Sequence, residues 1–341
     1  MARRGEEPKP TWRRVPLGVR RRAEALLGAA VTRADRAYGG YGPSATFRLR
    51  LADGRRAFFK GVYPLPEGSP VRWSLDREQR VFEQLGDLIS PWAPAYYGAV
   101  AERGWHALLL EDLGPATVPP WTEAKARAAM RAYAGFHAGT RGRPLPRWLP
   151  RRRGWLPFAR TWSRLSANAV DLEQLAGLAG ARAGEAVSWL RHHLPALDAA
   201  SSAFGRTGRP FALLHLDTRS DNVRVDADAP TPLRIFDWPF AMVGPPELDV
   251  AAYAQSVASE GGPAPERLTD WYAEVQPLRP RVLAGAAAAI AGFFAERAWQ
   301  PPVEALPRLR SVQRRQLRAS LAWAARLNGL PAPGWLDEVP P

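Results

Sequence analysis

Residues 211–251, FALLHLDTRSDNVRVDADAPTPLRIFDWPFAMVGPPELDVA, constrain this chain more than any other stretch. The short apolar run Phe211 to Leu214 reads as a buried strand. His215-Leu216-Asp217 and the polar turn Thr218 to Asn222 follow it. Val223-Arg224-Val225 and Leu233-Arg234-Ile235-Phe236 then alternate like two strands, across a loop rich in Asp, Ala and Pro. Paired as a hairpin, they would carry Asn222 and Asp237 at its open end, with Asp217 just upstream. Asp and Asn favour turns for conformational reasons alone; it is the ordered set that points to a site. Oxygen ligands of this kind suit Mg²⁺, which takes few protein ligands and completes its shell with water and phosphates. Asp217 would be left to face a hydroxyl. His215 reads as a residue packed beneath the loop. Asp249 reads as a tie between a helix start and the loop backbone.

The order H-x-D, four residues, N, then D after a hairpin is that of the catalytic and metal-binding loops of phosphoryl-transfer enzymes. With His215, Asp217, Asn222, Ile235, Asp237, Trp238, Gly244 and Asp249 at close to the family spacing, the chain resembles the aminoglycoside phosphotransferase and choline kinase superfamily. The resemblance implies an α+β, two-lobed protein-kinase-like fold, with a small antiparallel-sheet N-lobe and a larger, mainly helical C-lobe. It implies ATP and Mg²⁺ as cofactors and a small-molecule alcohol as phosphoryl acceptor. Residues 1–37 would form an N-terminal tail and helix, 38–113 the N-lobe and 114–341 the C-lobe. Asn222 and Asp237 would bind the metal, and Asp217 would orient and deprotonate the acceptor. Two departures stand out: Leu216 replaces the family's usual Gly, and Arg219-Ser220 replaces a frequent His-Pro. No activation segment ending in A-P-E follows Asp237, which argues against a protein substrate.

Upstream, the sequence reads as a tail to residue 16, a helix over Leu17 to Val31 and a glycine-rich segment, YGGYGPSA, at 38–45. That segment is either a phosphate-covering loop or an ordinary one. Asp53-Gly54 marks a hairpin turn between strands Thr46–Leu51 and Arg56–Tyr63. Lysine occurs only at positions 9, 60 and 125, every other cation being arginine. Lys60, in an apolar strand, can meet phosphate as a compact point charge, or its amine can reach solvent. Glu78 shares a helical face with Leu75, Val81, Phe82 and Leu85. A carboxylate on an apolar face needs a cation, and Lys60 is its expected partner. Glu111-Asp112-Leu113-Gly114 resembles the family's inter-lobe hinge, where backbone groups of Glu111 and Leu113 would hold adenine. Arg219, two residues after Asp217, would either neutralise the transferring phosphate or pair with Asp221 or another nearby acid and stiffen the turn.

The chain carries 47 Lys and Arg against 33 Asp and Glu, a net charge of +14, and no cysteine. Disulfides and thiolate zinc sites are therefore excluded. The N-terminus lacks the apolar core of a signal peptide, and the apolar run Val282–Ala295 is too short to span a bilayer. A cytoplasmic, bacterial enzyme with no membrane partner is expected. The arginine, alanine and proline bias reads as the product of a GC-rich genome, so the charge is weak evidence for nucleic-acid binding. The basic, aromatic stretch at 143–164 reads as an insertion of the large lobe. Two alternatives are carried forward: a catalytically weak kinase-like scaffold and a basic nucleic-acid-binding protein. The positive field also argues against a polycationic acceptor. Oligomeric state is not legible.

Overall fold

The structure, a computed structural model, describes residues 9–37, 44–65, 74–303 and 306–341. The glycine-rich segment expected to approach phosphates lies outside the described residues, apart from Ser44 and Ala45. The chain divides into two compact units. One contains residues up to 116 together with 234–239 and 303–308; the other holds the remainder.

The first unit is built on a five-stranded antiparallel sheet in the order β1-β2-β3-β5-β4. Its strands are β1 (Val31–Arg36), β2 (Ala45–Leu51), β3 (Arg56–Val62), β4 (Tyr96–Glu102) and β5 (Trp105–Glu111). Period-two patterning decides its faces. Phe47, Leu49 and Leu51 are buried, while Arg48 and Arg50 alternate with them on the opposite face. Phe47 and Phe59 pack into a core with Val19, Ala23 and Leu27 of helix α1 (Leu17–Leu27). Lys60 follows Phe59 on β3 and so faces the opposite side, where helix α2 (Asp76–Ile89) supplies its partner. Its register partner on β5 is Leu108.

Two expectations are corrected here. Residues 9–16 are not a tail: Trp12 packs edge-on against both Phe47 and Phe59 at 5.2 Å, and Val15 is buried. Helix α1 stops at Leu27 instead of reaching Val31. Gly28 takes a left-handed conformation, φ +70°, the usual helix stop. The Val31 amide then donates to Glu24 Oε1 at 2.8 Å, and Val31 joins the sheet opposite Leu51.

The second unit is mainly helical. Its helices are α3 (Glu123–Thr140), α4 (Arg152–Trp155), α5 (Thr161–Ser166), α6 (Ala169–Gly177), α7 (Ala183–Gly205), α8 (Pro246–Ser259), α9 (Pro265–Ala273), α10 (Pro280–Ala295) and α11 (Leu309–Leu327). Thr122 caps α3 by accepting the Lys125 amide hydrogen. The alanine-rich α10 is buried along most of its length and packs on α7, α8 and α11. Strands β6 (Ala212–Leu214) and β9 (Met242–Gly244) pair antiparallel. Between them, β7 (Val223–Val225) turns into β8 (Leu233–Ile235), the turn closed by the Asp226 amide on the Pro232 carbonyl at 3.0 Å.

Two tryptophans of the basic stretch serve this core. Trp155 and Trp162 are fully buried, and Trp162 Nε1 donates to the Ala288 carbonyl at 2.7 Å. Exposed rings of the kind that stack on bases are therefore not what these tryptophans offer. His192 and His193 do not diverge as adjacent helical positions suggest. Their rings meet edge-on at 4.6 Å, with His193 also packed on Trp189 one turn back. Among the described residues, no helix is long and apolar enough to cross a membrane.

Candidate active site

The loop after β6 is held from below. The Asp249 carboxylate, in the first turn of α8, accepts the His215 amide on Oδ2 at 2.7 Å and the Leu216 amide on Oδ1 at 2.6 Å. Burial would raise the pKa of Asp249, but hydrogen bonding and charge from His137 outweigh it and hold the carboxyl below the usual range. His137 itself bridges Asp249 and the Tyr272 hydroxyl inside the unit, as a packed residue. From α3, the Tyr133 hydroxyl meets Thr218 Oγ1 at 2.7 Å.

This clamp explains the Leu216 departure. Leu216 sits at φ +66°, in the left-handed region that favours glycine. A non-glycine residue there costs about 1–2 kcal/mol. The loop backbone therefore keeps a glycine-type conformation with a leucine in it, and the two amide–carboxylate bonds offset the strain.

Asp217 and Asn222 lie side by side. Asn222 is buried, and its Nδ2 donates to the Asp217 carbonyl at 2.8 Å and to Asp217 Oδ2 at 2.9 Å. Both amide hydrogens are thus turned toward Asp217, leaving Oδ1 as the remaining acceptor of the carboxamide. Arg219 holds the other side of the same carboxylate: Nε lies 2.9 Å from Asp217 Oδ1 and Nη2 3.2 Å from Oδ2. Asp221 Oδ2 is a more distant partner of Nη2 at 3.5 Å.

Asp237 belongs with the other unit. The Ile235 amide donates to the Trp92 carbonyl at 2.6 Å, and Arg234 Nη2 bonds the Ala93 carbonyl at 2.8 Å and Glu111 Oε2 at 2.7 Å. These contacts deliver Asp237, at φ +69°, to Lys60. The Lys60 ammonium is buried between two carboxylates, 2.6 Å from Glu78 Oε2 and 2.7 Å from Asp237 Oδ1. Burial alone would lower the lysine pKa; the charges of Asp237 and Glu78 outweigh it and push it well up. Glu78 is fully buried, and that burial pushes its carboxyl up to about 6, against the attraction of Lys60. One ammonium shared with Asp237 does not fully offset the burial of Glu78.

At the hinge, the Glu111 side chain is committed: Oε2 accepts the Ala95 amide as well as Arg234. Its own amide donates to the Ala95 carbonyl at 2.8 Å. Leu113 is half-buried beyond the end of β5. Sequence reasoning missed what pins this segment: Arg48 donates to Asp112 Oδ1 and to the Gly114 carbonyl, both at 2.5 Å. It also missed Glu260 as part of the loop. Glu260 Oε1 accepts the Ser220 hydroxyl at 2.7 Å, and Oε2 accepts Trp121 Nε1 at 2.9 Å. Burial raises its pKa against both hydrogen bonds. These partners are 40 and 139 residues away, beyond any spacing rule.

The sequence model of the phosphotransferase enzyme family matches residues 39–281. The chain belongs to this family. A search of curated proteins returned no match. Solved structures share the fold at low identity. The spectinomycin phosphotransferase APH(9)-Ia, solved with ADP and spectinomycin, is 13% identical with a TM-score of 0.54, covering 92% of this chain and 98% of its own. A thermostable mutant of the aminoglycoside phosphotransferase APH(4)-Ia is 12% identical, with a TM-score of 0.54 and coverage of 94% and 98%. A Thermobifida fusca protein provisionally assigned as a fructosamine-3-kinase is 22% identical, with a TM-score of 0.51 and coverage of 88% and 98%. The α+β, kinase-like fold implied by the sequence is the one these phosphotransferases have.

Proposed function

We propose that this phosphotransferase moves the γ-phosphoryl group of ATP to a hydroxyl of a small molecule, with Mg²⁺, in the cytoplasm. The observation that carries the reading is the buried Lys60 ammonium held between Glu78 and Asp237. A buried cation fixed by one fully buried carboxylate and one partly exposed carboxylate is pre-organised to take phosphate oxygens when Asp237 turns to a metal. The donor set fits such an ion: Asn222 offers an amide oxygen and Asp237 a carboxylate, both hard oxygen ligands. Mg²⁺, when bound, neutralises and orients phosphate oxygens.

The remaining work falls to the chain. Lys60 holds the nucleotide phosphates, and Glu78 keeps its ammonium charged and in place. Backbone groups of Glu111 and Leu113 hold the adenine. Asp217 accepts a hydrogen bond from the acceptor hydroxyl. The new P–O bond forms to the acceptor oxygen as the bond to the ADP oxygen breaks, and the hydroxyl proton passes to Asp217 late in that step. Arg219 and Asn222 hold that carboxylate in place for the acceptor hydroxyl. Arg219 lies two residues on and can share its guanidinium with the transferring group.

Titration calorimetry with Mg·ATP tests the nucleotide part. Wild type should bind, while Asp237→Ala should lose metal-dependent binding. Equal affinity in the two proteins would remove Asp237 from the metal site.

A further inference from the structure

Helix α11 presents Arg315, Arg318, Ala319 and Ala322 along one face, at positions i, i+3, i+4 and i+7. The opposite face, with Leu317, Leu321 and Trp323, is buried in the helical core. The arginine face lines a cleft of about 570 Å³ whose other walls come from the end of α8 and from residues 332–337. That volume lies in the range, roughly 300–1,000 Å³, of small-molecule sites. Its walls are largely apolar and short, with Ala258, Ala322, Pro333 and Leu336 among them. Arg315 and Arg318 are half-buried there. Several arginines of this unit are paired, Arg279 with Glu247, Arg326 with Glu266 and Arg164 with Glu296, whereas others, such as Arg147, Arg153 and Arg206, are simply exposed. Among the described residues, Arg315 and Arg318 make neither a hydrogen bond nor an ion pair. Asp337 stands on the facing wall, and Pro341 at the end of the chain also lines the cleft.

We propose that this cleft is a binding site for a small molecule carrying a carboxylate or phosphate on an apolar body. The two guanidiniums take the anion, since planar forks with five N–H donors each match both groups. The alanine and proline walls take the apolar part, and Asp337 accepts a hydroxyl hydrogen where the ligand has one. The cleft also adjoins a residue that holds the proposed catalytic loop. Its lining residues Ser259 and Gly261 flank Glu260, whose carboxylate holds Ser220.

Titration calorimetry with four one-ring probes tests this. Benzoate and phenyl phosphate should bind with saturable 1:1 stoichiometry, while benzyl alcohol and benzylamine should not. The double variant Arg315→Ala/Arg318→Ala should weaken the anionic probes by about tenfold or more, the value of a lost charge-assisted contact. Ala322→Phe keeps both arginines but fills the cleft, and it too should abolish binding. Anion binding that survives Ala322→Phe would assign it to the general positive surface and overturn the site, as would an absence of binding by wild type. In a turnover assay, benzoate competing with the acceptor would mark the cleft as holding the acceptor's own anionic group. A change in kcat alone would mark a separate effector. The binding result should be unchanged in Asp217→Asn, so it stands or falls independently of the phosphotransferase reading.

Discussion

Arg219 grips Asp217 through two nitrogens, Nε at 2.9 Å from Oδ1 and Nη2 at 3.2 Å from Oδ2. The sequence left Arg219 a choice between the transferring phosphate and a nearby acid, Asp221 or another. In the structure its first partner is a nearby acid, Asp217, and Asp221 is secondary. Arg219→Ala should lower kcat by about 100-fold, the usual cost of one pre-organised donor, while changing Tm little. Both quantities belong on one preparation. A kcat within a few-fold of wild type, or a collapse in Tm with kcat of the folded fraction preserved, would reduce Arg219 to a turn-stiffening residue.

Leu216 gives a prediction about stability alone. At φ +66° glycine should be tolerated, its relief of strain offset in part by about 0.5–1 kcal/mol of chain entropy. A β-branched residue should be worse than leucine. The expected order of Tm is Leu216→Gly at or above wild type, and Leu216→Val below it. Equal Tm for wild type and Leu216→Val would show that the backbone is not held in this conformation.

How far the sequence carried can be judged residue by residue. The Lys60–Glu78 pair was legible because helix periodicity put a carboxylate on an apolar face and the chain offered one lysine in a buried strand. Asp237 as a second partner of that lysine was not, since 177 residues separate them. The end of α1 was misplaced although Gly28 marked it; the apolar Ala29-Ala30-Val31 run masked the stop. Glu260 was not legible, because its role depends on the fold bringing Ser220 and Trp121 to it. His215 and Asp249 were placed correctly because a buried polar pair next to a tight loop has few other uses.

The buried pair also predicts a pH dependence. The Glu78 carboxyl is pushed up to about 6 from an ordinary 4.5. Between those values the unfolded chain has released this proton and the folded chain has not. The folded state therefore binds more protons, and the Glu78 contribution to stability falls as pH rises through the window. Glu78→Gln cannot titrate, so its Tm should show a shallower decline, or a steeper rise, than wild type over that range. Superimposable Tm–pH slopes for the two proteins would contradict the raised carboxyl.

Removing Glu78 outright should be costlier than removing an exposed acid. Glu78→Ala leaves Lys60 buried with Asp237 alone, and breaking one side of a buried ion pair costs about 3 kcal/mol. Chemical denaturation of the variant measures it. A loss below about 1 kcal/mol, the level of an exposed pair, would show that Asp237 suffices to hold the lysine.

The most direct test of phosphoryl transfer is incubation of the purified protein with γ-labelled ATP, Mg²⁺ and a panel of small-molecule alcohols, beside the Asp217→Asn variant. Wild type should transfer label to at least one alcohol. Asp217→Asn should still bind Mg·ATP yet transfer more slowly by orders of magnitude. Equal transfer by the two proteins would contradict the role given to Asp217, and failure of wild type to label any alcohol while binding Mg·ATP would favour the kinase-like scaffold instead.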